Sequence, residues 1–260
     1  MATACSSIAY GEYCGCLSSS TRREPRASCA RDAASRSEAN IANASSARYW
    51  ARSTRSEPET VRIALITRRY APLLGGAEKV LGYLARALAR EGADVRLLTA
   101  NPPGLGLPAC ERVTIGPGSL VIERLPTSRW RFVGTILYMR SLRNYLRTHS
   151  IDLFYVSMLK HDAHVAVGVG GRLGVPVVLR PEGAGDTGDL AWQKWGRFGR
   201  KIAARCHHAD AVVAISSTIE RELIEDAYEV DRIVRLPNGV PVPDRPWRPR
   251  EDWRVAPRAD

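Results

Sequence analysis

Residues with chemical potential gather at four places in the chain. The first is Pro72-Leu73-Leu74-Gly75-Gly76-Ala77-Glu78, between an apolar run at 62–67 and a stretch of helical period at 76–91. Gly75 and Gly76 let the backbone approach a ligand closely. A helix start beside them offers free N–H groups and a positive dipole end to an anion such as phosphate. A tight turn with no ligand accounts for the same residues equally well. The second place is Arg180-Pro181-Glu182-Gly183-Ala184-Gly185-Asp186-Thr187-Gly188-Asp189, directly after the apolar run 175–180. Glu182 can accept hydrogen bonds from hydroxyl groups and Arg180 can hold an anion. Asp186 or Asp189 binds hydroxyls, or Asp186 or Thr187 caps the next helix. The third place is Lys160, His161 and His164 after the run 152–156, where His161 is a candidate contact and a solvated helix start is the plainer reading. The fourth is Asn238, in Leu236-Pro237-Asn238-Gly239-Val240.

Several common chemistries are absent. The dinucleotide fingerprint needs a third glycine where Glu78 or Lys79 stands. A second cluster, Gly168-Val169-Gly170-Gly171-Arg172-Leu173-Gly174, has Leu173 at its third glycine position and lies late in a helical stretch. It reads as close helix packing. No Walker loop occurs. Cys14-Gly15-Cys16 has no second Cys or His pair at ligand distance, so neither a metal nor a cofactor is expected. Cys110 and Cys206 are too isolated for a disulfide framework, which points to a reducing compartment. The first thirty residues lack an apolar signal region. A cytoplasmic location is therefore expected, with a peripheral membrane contact as an option.

Strands must carry these residues to one edge, and the texture supplies them. From Val61, short β-branched runs at 62–67, 94–99, 119–125, 152–156, 175–180, 210–214 and 232–236 alternate with helical stretches at 76–91, 133–148, 161–173, 188–206 and 216–227. That alternation predicts an α/β fold, a Rossmann-like parallel sheet with helices on both faces. In such folds ligands gather beyond the carboxyl ends of the strands. In the first helix Val80, Leu81, Leu84 and Leu88 recur on one face, and Gly92 supplies a left-handed stop. Residues 61–240 thus form one domain. Residues 1–60 are rich in Ser, Ala and Arg without a sustained period, and read as a disordered tail. Residues 241–260 carry many Pro and Arg and read as a linker.

The formal charge is +11, which favours anionic partners. Aromatics beside basic clusters are scarce outside 192–205, so nucleic acid is not an expected partner. Within 192–206, Trp192, Trp195, Phe198, Ile202 and Cys206 share one helical face. Lys194, Arg197, Lys201 and Arg205 lie opposite. Such a helix either packs its apolar face on its own sheet or rests on an anionic membrane.

Taken together, the Gly-Gly-Ala-Glu loop at 75–78, the run Ala209-Asp210-Ala211-Val212-Val213-Ala214-Ile215-Ser216 and the exit Leu236-Pro237-Asn238-Gly239-Val240 resemble the N-terminal domain of family-four glycosyltransferases. The resemblance covers roughly residues 61–245. It implies half of the two-Rossmann GT-B architecture, a retaining reaction, and the acceptor side of sugar transfer from a nucleotide sugar to a glycan or lipid-linked acceptor. Gly75, Gly76, Glu78, His161, Arg180, Gly183, Asp186 and Asn238 are then candidate substrate or phosphate contacts. Glu182 becomes the candidate catalytic residue, standing where many relatives place histidine. The family's donor-binding half, with its Glu-rich motif, does not follow Val240, so the chain is expected to need a donor-domain partner and not to transfer sugar alone. The competing expectations are a non-enzymatic interaction module or subunit, and another two-domain enzyme such as a sugar-nucleotide epimerase.

Overall fold

The computed structural model describes residues 60–73 and 75–239. The expectations for residues 1–59 and 241–260 lie outside them. Eight strands form in chain order: β1 (Arg62–Ile66), β2 (Asp94–Ala100), β3 (Cys110–Ile115), β4 (Gly118–Leu125), β5 (Leu153–Ser157), β6 (Val177–Arg180), β7 (Ala211–Ala214) and β8 (Ile233–Arg235). The helices are α1 (Gly76–Arg90), α2 (Arg131–Thr148), α3 (His161–Leu173), α4 (Asp189–Trp195), α5 (Gly199–Cys206) and α6 (Ser217–Glu225). The strands make one sheet in the order β3-β4-β2-β1-β5-β6-β7-β8. Every neighbouring pair is parallel except β3 with β4. The fold is α/β and Rossmann-like.

The central strand shows why both faces need cover. In β1, Ala64, Leu65 and Ile66 are fully buried and Ile63 nearly so. Alternate side chains point to opposite faces. Ile63 and Leu65 join the cluster under α1, with Leu81, Ala85 and Ala89. Ala64 and Ile66 join the larger cluster on the other face, built with α2, α3, α5 and α6. The buried stripe of α1 runs through Leu81, Ala85 and Ala89, with Leu84 and Leu88 partly buried at its flank. Small alanines bring the helix axis close to the sheet. Gly92 has φ 95°, the left-handed stop expected there.

Two departures from the predicted elements have local causes. The antiparallel β3 was not predicted. It is an edge strand whose residues are mostly exposed, so it lacks the apolar run that marks a buried strand. A two-residue turn joins it to β4. Gly116 has φ 55°, and Pro117 cannot take a positive φ, which suits a type II′ turn. The predicted helix 188–206 is broken into α4 and α5. Gly196 ends the first piece, and Phe198, at φ 63°, reverses the chain before the second. Trp195 and Phe198 are thereby exposed, while Ile202 and Cys206 stay buried. The single amphipathic face expected from the 3.6-residue period does not exist.

The glycines at 168–171 do pack as expected. A Cβ on Gly170 would strike Val177 and the carbonyl of Val175, and one on Gly168 would strike the guanidinium of Arg205. They let α3 lie close against β6 and α5.

Candidate functional site

The parallel strands β1, β5, β6, β7 and β8 point their carboxyl ends to one edge, and most of the candidate residues meet there. The floor is built at the tips of β5 and β6. Ser157, the last residue of β5, donates its hydroxyl to Glu182 Oε1 at 2.5 Å. Arg180, the last residue of β6, donates through Nη1 to the same oxygen at 2.7 Å. Its Nη2 donates to Asn238 Oδ1 at 2.6 Å, across 58 residues of chain. The Glu182 amide donates to Asp189 Oδ2 at 2.8 Å, and Lys160 Nζ lies 3.6 Å from Asp189 Oδ1. The floor is therefore a bonded web of two carboxylates, two cations, a hydroxyl, a side-chain amide and a backbone amide.

Burial sets its electrostatics. Only 3% of the Arg180 side chain and 9% of that of Glu182 is exposed. Loss of water pushes the Glu182 carboxyl above its ordinary value, and Arg180 and the Ser157 hydroxyl pull it back. Asp189 is likewise raised by burial and pulled back by the Glu182 amide and by Lys160. Both terminal nitrogens of Arg180 are engaged within the chain.

The rim is the β1–α1 loop. Gly75 precedes α1, and its amide donates to Glu78 Oε2 at 2.9 Å, one half of a capping box. A Cβ on Gly76 would meet nothing within 4 Å, so the space above that residue is open. Glu78 is buried and adds repulsion that helps to raise Glu182. Rim and floor are therefore neighbours.

A wall stands behind them. His161, the first residue of α3, lies edge-on to Trp192 with ring centroids 5.5 Å apart. Burial, then Arg68, His164 and Lys160, lower its pKa, which favours a neutral imidazole able both to donate and to accept. His164 sits one turn further along α3, its pKa lowered by burial and by Arg205. Asp162 is fully enclosed, and burial raises its pKa to about 6 against the pull of Arg68 and Lys160. The Arg68 guanidinium lies 4.5 Å from the centre of the Tyr138 ring and bonds Thr135 Oγ1 at 3.0 Å.

Gly183 lies in the loop leaving the floor, against Gly188. Asp186 is exposed in the short 3₁₀ turn Gly185–Thr187, with no hydrogen bond or ion pair among the described residues. The helix cap foreseen for Asp186 or Thr187 is not formed. Gly188 precedes α4 and no side chain caps it. Ser157, Arg68 and Asp162 were not singled out from sequence. Ser157 and Arg68 each fall one residue past a predicted strand, which is the signal that marks this edge.

The model of Glycosyltransferase Family 4 matches residues 74–242, well over half of the chain and nearly all of the floor, rim and wall. The chain belongs to glycosyltransferase family 4. Among curated protein sequences nothing matches. Among solved structures, the chain is similar to Anabaena HepE in complex with UDP-glucose, at 14% identity and a TM-score of 0.48, over 69% of this chain and 44% of that one. It is similar to the lipopolysaccharide outer core galactosyltransferase WaaB, at 14% identity and a TM-score of 0.47, over 71% and 47%. It is also similar to UDP-N-acetylglucosamine 2-epimerase from Rickettsia bellii, at 9% identity and a TM-score of 0.46, over 69% and 45%. The chain thus spans less than half the length of these proteins. Among the described residues no helix is long and apolar enough to cross a membrane.

Proposed function

We propose that this family-four domain is the acceptor side of a cytoplasmic glycosyltransferase, which passes a sugar from a nucleotide sugar to a hydroxyl of a glycan or lipid-linked acceptor. The observation that carries the reading is the meeting of Glu78, Glu182 and Asp189 at the carboxyl edge, inside the segment that matches the family. Carboxylates accept hydrogen bonds and do not donate them, so they suit the hydroxyls of a sugar. Glu182, fixed by Ser157 and Arg180, orients an acceptor hydroxyl. The neutral His161 offers that hydroxyl both a donor and an acceptor. Gly76 and the start of α1 leave room for the charged group of the bound substrates.

In this reading a second domain, on the same polypeptide or on another, holds the donor. Retaining transfer needs donor and acceptor fixed together in a cleft. The positive groups that stabilise the leaving phosphate belong mostly to that second domain. A peripheral contact with an anionic membrane completes the reading.

The test is a pair of titrations on the purified chain. Oligosaccharide acceptors should perturb the resonances of the 182–189 loop. Uridine or guanosine nucleotide sugars should bind no tighter than about millimolar, which is about 4 kcal/mol. Tight, saturable nucleotide-sugar binding together with no response to any oligosaccharide would assign the chain to the donor side.

A further inference from the structure

The break between α4 and α5 leaves a hollow on the helical face of the sheet. Gly196 ends α4 in an extended turn, and Phe198, at φ 63°, starts α5 in a new direction. Leu190, Gln193 and Lys194 recur at i, i+3 and i+4 on one face of α4. Arg200, Ala203 and His207 follow one face of α5 in the same way. Those two faces, with Asp226 just past α6, line a hollow of about 360 Å³. The methyl group of Ala203 is too small to fill it. His207 and Asp226 stand toward the amino edge of the sheet, because α5 leads into the start of β7 and α6 returns to the start of β8. The hollow is therefore distinct from the carboxyl-edge site.

The charged groups around it are not paired with one another. Lys194, Arg200 and Asp226 make no ion pair and no side-chain hydrogen bond among the described residues. His207 is held by its stack on Tyr228, with ring centroids 4.1 Å apart. Leu190 and Gln193 are the buried members and form the base. Gln193 is 2% exposed, and its Nε2 donates to the carbonyl oxygen of Leu159 at 2.8 Å, which fixes the orientation of the amide. Its Oε1 is then left buried without a hydrogen-bond partner. A buried acceptor of this kind beside a hollow marks a place for a donor from outside the chain. Convergent polar groups over a partly apolar base are the usual make-up of a small-molecule site.

We propose that the hollow between α4, α5 and the end of α6 binds a small phosphomonoester that also carries hydroxyl groups, such as a sugar phosphate. The charges select this class. A phosphomonoester carries about −1.5 to −2 near pH 7, which matches Lys194 and Arg200 together, whereas a single carboxylate leaves one cation unmatched. The planar fork of Arg200 suits two phosphate oxygens. Asp226 only accepts hydrogen bonds, so it favours hydroxyls on the same molecule and disfavours phosphate alone. Leu190 and Ala203 offer apolar contact to a carbon skeleton. The volume lies at the small end of ligand sites, as a compact ligand of this kind requires. The occupant would share a helix with the floor. Asp189 opens α4, and Gln193, one turn on, bonds the loop that carries Lys160 and His161. The binding itself does not rest on the acceptor-side reading.

Calorimetric titration of the whole chain at about 150 mM sodium chloride tests it. The probes are ribose 5-phosphate, its two halves ribose and inorganic phosphate, and glutamate. Ribose 5-phosphate should bind one to one and at least tenfold more tightly than inorganic phosphate, and ribose alone should give no heat. In amide spectra the shifts should centre on Ala203, His207 and Asp226. Ala203→Leu fills the hollow and keeps every charge, so it should lower affinity at least tenfold at an unchanged melting temperature. Arg200→Gln changes an exposed side chain and should weaken both ribose 5-phosphate and inorganic phosphate. Asp226→Ala should narrow the gap between them, because phosphate loses a repulsion while the hydroxyls lose an acceptor. Equal affinity for ribose 5-phosphate and inorganic phosphate, or none for either, overturns the proposal. So does wild-type affinity in both Ala203→Leu and Arg200→Gln. Shifts confined to the 182–189 loop would move the ligand to the carboxyl edge and overturn it too, and binding of glutamate in place of ribose 5-phosphate would overturn the phosphate class. No arm contains an oligosaccharide acceptor, so failure here leaves the acceptor-side reading to its own titrations.

Discussion

The floor and the rim of the carboxyl edge lie side by side and differ in what completes them. The floor is closed from within. Arg180, Glu182, Ser157, Asn238 and Asp189 satisfy one another, and each has a fixed partner before any ligand arrives. At the rim, Gly75 and Glu78 bond each other and Gly76 borders empty space. A buried charge must be paired inside the chain, because water is not there to solvate it. An open backbone turn carries no such demand and can wait for a substrate. The floor should therefore report mutations as lost stability, and the rim should report them as lost binding.

Arg180→Ala tests this most severely. It leaves Glu182 buried without its cation and should cost about 3–5 kcal/mol. For a domain of this size that lowers the melting temperature by roughly 10 °C. Arg180→Met together with Glu182→Gln should recover much of the loss, since neither charge is then stranded. A single-mutant loss below about 1 kcal/mol would show that the floor is not held by this pair.

Asp162, in the wall behind the floor, sharpens the contrast because it is a buried carboxylate with no ion pair among the described residues. Its folded pKa of about 6 lies above the ordinary value of 3.8. Between those values the folded state holds a proton that the unfolded chain has released. Stability therefore falls as pH rises through that window, and the penalty is complete above pH 6. Asp162→Asn removes the penalty. It should stabilise the protein at pH 7 by about 1–3 kcal/mol. The gain should shrink as pH falls through the ordinary value of 3.8, below which the carboxyl becomes neutral in both states. Thermal melts across pH 3.5–8 would detect it, and an equal gain at every pH would rule out titration as the cause.

How much of this was legible in the sequence follows the same division. The inner parallel strands announce themselves because burial on both faces demands continuous apolar runs, and the edge strand β8 still carries the pair Ile233-Val234. The edge strand β3, Cys110–Ile115, does not announce itself, because an exposed strand carries no such run. Trp192, Trp195, Phe198, Ile202 and Cys206 keep a helical period straight through the break, since spacing records side-chain type and not φ. Glu182, Arg180, Asp189 and Asn238 can be placed at strand ends. The bond between Arg180 and Asn238 joins residues 58 apart, and no local pattern encodes it. The enclosed Asp162 was unreadable for the opposite reason. It stands at a helix start, where an acidic residue is ordinary and gives no sign of burial.

A smaller effect is expected where rim touches floor. Glu78→Ala removes the acceptor for the Gly75 amide and should cost about 1 kcal/mol, as losing a helix cap does. It also removes repulsion from Glu182, whose carboxyl should then titrate at lower pH. Carbon-13 chemical shifts of the Glu182 carboxyl would follow that directly. An unmoved titration would mean that the rim does not act on the floor.

The smallest stability effect belongs to Gly76, and it is the most informative about ligands. Because a Cβ there meets nothing within 4 Å, Gly76→Val should leave stability within about 0.5 kcal/mol of wild type. Whatever the valine harms must then come from outside this chain. If a substrate's charged group lies against the backbone at the start of α1, the branched side chain displaces it. Acceptor or phosphate affinity, measured with the donor-bearing partner domain supplied, should fall at least tenfold, about 1.4 kcal/mol. Gly171 is the control. Its Cβ position is equally empty, but it lies near the far end of α3, toward the opposite edge of the sheet. Gly171→Val should leave affinity unchanged, so its effect on stability can be set aside when binding is compared. Equal affinities for the Gly76 and Gly171 variants would reduce the rim to a turn and leave the floor as the whole of the site.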